Sequence, residues 1–263
     1  MEEEKQDQPE VQETPPTAYT APTASALSPA KADYRIGDWI AKAWQLATAQ
    51  IWPMVLLGLL GTIPGTLLTY AVTFPVGFAV GMSVENQIAA QLIAGLLGGI
   101  IGWIISATLI APLMVGILAV LLNYNRTQQI NYSLLGTGFG KWTDSFMIGI
   151  WPGLLIFIPS AIPCLAVLIL PLFFAALLWY NYALISLSEP GMTHSQSADR
   201  GYALIKSNFW YGVLLMLTGA GIGLAGAIAC CVGTFFAAPL FWLVVAIAYD
   251  DLAYVPSAVQ PAV

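Results

Sequence analysis

Residues 145–188 read SFMIGIWPGLLIFIPSAIPCLAVLILPLFFAALLWYNYALISLS, and none of them is Asp, Glu, Lys or Arg. A helix crossing the ~30 Å hydrocarbon core of a bilayer needs about 20 apolar residues at ~1.5 Å rise each. This run is long enough for two crossings, and Pro159 to Pro163 supplies a turn between them. A transmembrane β-barrel would show segments of ~10 residues with alternating polarity. No such alternation is present.

Moving outward, residues 43–84, 86–125 and 207–249 are also free of formal charge. The last fits two crossings turning near Cys230 to Gly233. The first two flank Glu85 and fit one crossing each, Trp52–Val72 and Leu92–Leu122. The loop between them, with Phe74, Pro75 and Glu85, is apolar enough to re-enter the membrane. The expectation is an all-α polytopic membrane protein, six transmembrane helices in three hairpins over residues 34–252. Composition agrees, with 58% hydrophobic and 8% charged residues in 263, where a soluble domain carries about 25% charged residues.

Residues 1–33, rich in Glu, Gln, Pro, Thr and Ala, read as a disordered cytoplasmic tail, and 253–263 as a short C-terminal one. Much of the net charge of −6 sits in the first tail and says little about partners. The acidic start has no signal-peptide character, so the first span is expected to act as an uncleaved anchor. All eight Lys and Arg fall in the N-terminal region, the 123–144 loop or the 189–208 loop. An excess of basic residues marks the cytoplasmic side. Both termini are therefore expected inside, in the plasma membrane.

Two stretches have helical apolar periodicity without enough length to cross. In 38–50, Trp39, Ile40, Ala43, Trp44 and Ala47 recur on one side, away from Asp38 and Lys42. In 197–208, Ala198, Tyr202, Ile205 and Phe209 do so, away from Asp199, Arg200 and Lys206. Both fit interfacial helices whose candidate lipid-headgroup contacts are Trp39, Lys42, Trp44, Arg200, Tyr202 and Lys206. The alternative is that they simply extend spans one and five into water.

Self-comparison adds an internal repeat. Ile51-Trp52-Pro53, Ile150-Trp151-Pro152 and Phe209-Trp210-Tyr211 open the odd spans. A shift of 158 residues pairs Leu46 with Leu204, Trp52 with Trp210, Leu56 with Leu214, Leu57 with Leu215 and Gly61 with Gly219. The unit would be an interfacial helix plus a hairpin, copied three times in parallel; chance matches in an apolar alphabet are the competing reading.

Candidate chemistry is sparse. Intramembrane ionisable residues mark ion and proton pathways, and the spans contain none. His194 is the only histidine, and one histidine cannot build a zinc site. Asp250-Asp251 reads as a solvated helix end. No catalytic residue, metal site, cofactor or nucleic-acid partner is expected. Cys164, Cys230 and Cys231 fall in outer-face turns, as inert thiols or as a bridge from Cys164 to one of the pair. Pro112, Pro171 and Pro239 lie near mid-membrane in the even spans. Each frees one carbonyl a turn earlier, so three kinks either frame a small polar cavity or improve packing.

The run Ala198–Trp210 and the ending Cys231-Val232-Gly233, Pro239 and Ala246-Ile247-Ala248-Tyr249 resemble bacterial six-span membrane proteins of uncharacterised function. That group is related to the membrane domain fused to some glycerophosphodiester phosphodiesterases. The resemblance implies a bacterial inner-membrane location and supplies no catalytic residues. The functional expectation is a non-enzymatic envelope component that binds membrane lipids, other envelope proteins or copies of itself. A passive carrier or channel for a small or lipidic solute is the alternative.

Overall fold

A backbone in hydrocarbon has no hydrogen-bond partner except itself, so the charge-free runs become helices. The computed structural model describes residues 36–84, 86–161, 163–228 and 230–253, apart from the side chains of 88, 91, 92, 152–161, 163–174 and 230–232. The expected tails, Ala253 excepted, and the side chains of Cys164, Cys230, Cys231 and Pro171 lie outside the described residues.

The order is α1 (Ile36–Ala49), α2 (Ile51–Ser83), α3 (Gln87–Ile105), a π-helical turn (Ser106–Ile110), α4 (Ala111–Thr127), a 3-10 turn (Tyr132–Gly136), α5 (Thr137–Gly140), α6 (Trp142–Ala161), α7 (Pro163–Leu187), α8 (His194–Ile228) and α9 (Cys230–Ala253). No strand occurs among the described residues. The protein is an all-α helical membrane protein. Ile51–Ser83, Ile93–Thr127, His194–Ile228 and Gly233–Ala253 are each long and apolar enough to cross a bilayer. With α6 and α7 they form three hairpins: α2 with α3 and α4, α6 with α7, and α8 with α9.

The first hairpin differs from its expected form. The helix does not stop at Val72 but runs to Ser83, with Pro64 and Pro75 inside it. The expected loop around Pro75 is helix, because a proline removes a single N–H whereas ending a helix in an apolar surround orphans several groups.

Backbone breaks separate the interfacial segments from the spans. Gln50 sits at φ −134°, ψ 54° between α1 and α2. Asn208 sits at φ −132°, ψ 36° inside α8 and divides it into a polar first part and an apolar second part. The two breaks are 158 residues apart. In the second hairpin α6 is continuous through Gly149, and the break falls earlier, at Lys141 (φ −108°, ψ 34°).

Packing follows a cyclic rule. Each short polar-end segment rests on the last helix of the preceding hairpin: α1 on α9, the 3-10 turn and α5 on α4, and the first part of α8 on α7. The last helices α4, α7 and α9 meet in the middle. Their facing side chains, among them Ile117, Leu121, Leu184, Ile185, Val244 and Ile247, are fully buried. The first helices take the outer positions, and Trp52, Trp151 and Trp210 are 81%, 60% and 74% exposed. Aromatic rings at such positions mark a bilayer interface.

Candidate functional site

The three central helices finish at one level, and the apolar run of each ends on a charge: Arg126 in α4, Glu189 just past α7, and Asp250 in α9. Arg126 Nη2 donates to Glu189 Oε1 at 3.0 Å and to Asp250 Oδ1 at 2.6 Å. Its Nε donates to the same Asp250 oxygen at 3.0 Å. From α8, Arg200 Nη1 donates to Glu189 Oε2 at 2.7 Å, and its guanidinium carbon lies 5.6 Å from the centroid of the Tyr249 ring. Asn125 Nδ2 completes the cluster by donating to Asp250 Oδ2 at 2.6 Å.

This is a neutral quartet of two cations and two anions. Glu189 and Arg200 are almost completely withdrawn from solvent. A lone ion there would cost several kcal/mol, so such charges persist only when paired and hydrogen-bonded. Each Glu189 oxygen meets a different arginine, and the quartet thereby joins α4, α8, α9 and the end of α7.

Two further contacts tie the short segments to this end. Lys141 Nζ donates to the carbonyls of Leu187 at 2.7 Å and Glu189 at 2.6 Å, satisfying the negative end of α7. Burial holds the Lys141 ammonium below its ordinary range, while Asp144 and Glu189 pull it back up. Trp39 Nε1 donates to Asp251 Oδ2 at 2.6 Å, and the Tyr124 hydroxyl donates to Leu46 O at 3.0 Å. Asp144 Oδ1 accepts from the His194 backbone N–H at 3.1 Å and lies 2.9 Å from its Nδ1. That carboxylate caps the start of α8 from another element.

The expected headgroup residues divide into two groups. Lys42, Trp44, Tyr202 and Lys206 are exposed on the polar end. Trp39 and Arg200 are buried, which corrects the expectation for both: an indole N–H and a guanidinium that have carboxylate partners inside the fold do not face lipid phosphates. Asp250 and Asp251 are likewise bound by side chains of other elements, correcting their reading as a solvated helix end.

The two described prolines, Pro112 and Pro239, are sealed. Pro112 has no N–H to give Thr108 O, and Trp142 Nε1 donates to that carbonyl instead, at 2.7 Å. The π-helical turn beside it takes up the kink. Pro239 likewise leaves Phe235 O unserved, and the α2 backbone closes over it: a Cβ at Gly58 would lie 1.8 Å from that oxygen. Pro112 and Pro239 are buried and sit at packed helix joints.

Among the described residues no three His, Cys, Asp or Glu side chains converge as metal ligands. No protein-family model, curated protein or solved structure matches the chain.

Asn125, Arg126, Lys141 and Glu189 did not stand out as site residues in the sequence. For Arg126 and Glu189 the signal lies in the boundaries of the charge-free runs, where the first charge after each even span is a member of the quartet.

Proposed function

We propose that the protein is a non-catalytic platform of the bacterial inner membrane, with both termini in the cytoplasm, organising lipids or envelope partners around a closed helical core. The packed centre carries this reading. A carrier needs a solute path between its central helices. Here the described side chains of α4, α9 and the polar-end half of α7 pack as one largely apolar core, and the carbonyls freed by Pro112 and Pro239 are covered. The polar end is assigned to the cytoplasm on the distribution of Lys and Arg.

The platform is read as three copies of one unit. At a separation of 158 residues, Leu46 and Leu204, Ala43 and Gly201, Met54 and Gly212, and Leu57 and Leu215 are buried in pairs. Trp44 and Tyr202, Trp52 and Trp210, and Leu56 and Leu214 are exposed in pairs. Between the first and third hairpins, matching exposure and matching backbone breaks favour a repeat over coincidence. The exposed sets Lys42 with Trp44 and Tyr202 with Lys206 then serve as equivalent contacts for anionic headgroups, each basic residue adding about 1 kcal/mol on an anionic leaflet. This reading also fits the resemblance to bacterial six-span proteins.

One observation favours the carrier alternative: the quartet joins the helix ends that an inner gate would join. Distance measurements between spin labels at Gln129 and Ser195 in vesicles separate the two. A platform gives one narrow distribution in every lipid tested. Two populations, one with these segments parted, would favour the carrier.

A further inference from the structure

The three hairpins do not have the same reach. Asn125 and Asp250 are hydrogen-bonded and mark one level in α4 and α9. From that level α9 runs back to Cys230, whereas α4, the π turn and α3 run back to Gln87. At ~1.5 Å per residue the first reach is about 30 Å and the second about 57 Å. The third hairpin thus matches one hydrocarbon core, and the first overshoots it by about 27 Å. Tilt does not absorb the difference. Fitting the 33 residues of α2 into ~30 Å needs a tilt of roughly 53°, beyond the 0–40° range of membrane helices, and would leave the third hairpin too short.

The overshooting part has the surface of a membrane span. The only charged residue between positions 43 and 125 is Glu85. None of residues 66–83 is buried, and Tyr70, Phe74, Phe78 and Met82 are among the exposed. Even the polar side chains turn inward: Thr73 Oγ1 donates to Thr69 O and Ser83 Oγ to Ala79 O, each at 2.7 Å. A helix apolar on every side belongs in lipid or in a protein core. A second copy in the same membrane would cover one side of this hairpin and leave the other bare, whereas acyl chains cover all of it.

We infer that residues 68–83 and 87–105 form a lipid-binding element that lies along and within the far leaflet, with acyl chains as its partner. The bend has a place. Pro75 interrupts the α2 ladder, and opposite it Gly98, followed by Gly99, faces Thr73 at a would-be Cβ distance of 3.8 Å.

Nitroxide labels at Phe74, Phe78 and Met82, in a chain carrying Cys164→Ser, Cys230→Ser and Cys231→Ser, test this. The chain is placed in vesicles of phosphatidylethanolamine and phosphatidylglycerol. All three labels should be relaxed by oxygen and shielded from a water-soluble nickel chelate, at similar depth. Chelate access rising from Phe74 to Met82 would mean a hairpin standing in water and would overturn the inference. Shielding from both relaxants would mean a protein cover and would overturn it equally. The unmodified chain gives a second readout: a carbene-bearing phosphatidylcholine should label peptides containing residues 70–84, and an unlabelled tip would count against lipid as the partner.

Discussion

Glu189 concentrates the electrostatics of the polar end in one carboxylate. It joins Arg126 and Arg200 with both oxygens and no solvent exposure of its side chain. Glu189→Ala leaves Arg200 buried without that counter-charge, and removing one partner of a buried pair costs about 3–5 kcal/mol. Asp250→Ala breaks a contact with a half-open arginine, and its cost should be smaller. Unfolding of both variants in mixed detergent micelles checks the order; equal losses would show that the quartet is not centred on Glu189. At this scale the sequence was least legible. It displays that Arg126, Glu189 and Asp250 are polar and lie beside apolar runs. Their mutual pairing depends on three helices ending at one level, which no local pattern encodes. For the same reason Arg200 and Lys42, alike as charges on amphipathic segments, end up in opposite surroundings.

The elements themselves were readable, because a charge-free run of span length has one stable backbone conformation in lipid. The departure falls at Pro75, where a proline signal taken from water-soluble helices does not end the helix. Helix–helix contacts are set at glycines and at tryptophan N–H groups, Trp142 among them. Gly58→Ala drives a methyl group onto the Phe235 carbonyl, a backbone atom that cannot step aside; overpacking of this kind costs about 1–3 kcal/mol or more. Gly77→Ala meets nothing within 4 Å and should be neutral or mildly stabilising, by up to about 1 kcal/mol. Thermal melts in detergent distinguish the two, and equal effects would contradict the α2–α9 contact. Trp142→Phe keeps the ring and loses the donor to Thr108 O, for an expected cost of about 1–3 kcal/mol. Hydrogen exchange across Ser106–Pro112 should rise in that variant while α9 stays protected. Unchanged exchange would mean the indole does not hold the π turn.

The whole molecule is closed on itself. Each polar-end segment lies on the last helix of the hairpin before it, so the three hairpins form a ring with no open edge. Outward-facing tryptophans mark its rim, and paired charges fill the end of its axis. The hairpins were legible from charge spacing and the ring was not, since the order in which hairpins pack leaves no trace in the period of any one helix. A platform of this kind depends on all polar-end segments sharing one side of the membrane. Single cysteines at Gln129, Ser195 and Asn86, in a chain with the three native cysteines replaced, test that most directly. The account predicts that an impermeant maleimide reaches Asn86→Cys in intact spheroplasts and reaches Gln129→Cys and Ser195→Cys only after the cells are opened. Labelling of Gln129→Cys and Ser195→Cys from opposite sides, or of Asn86→Cys only in opened cells, would contradict it.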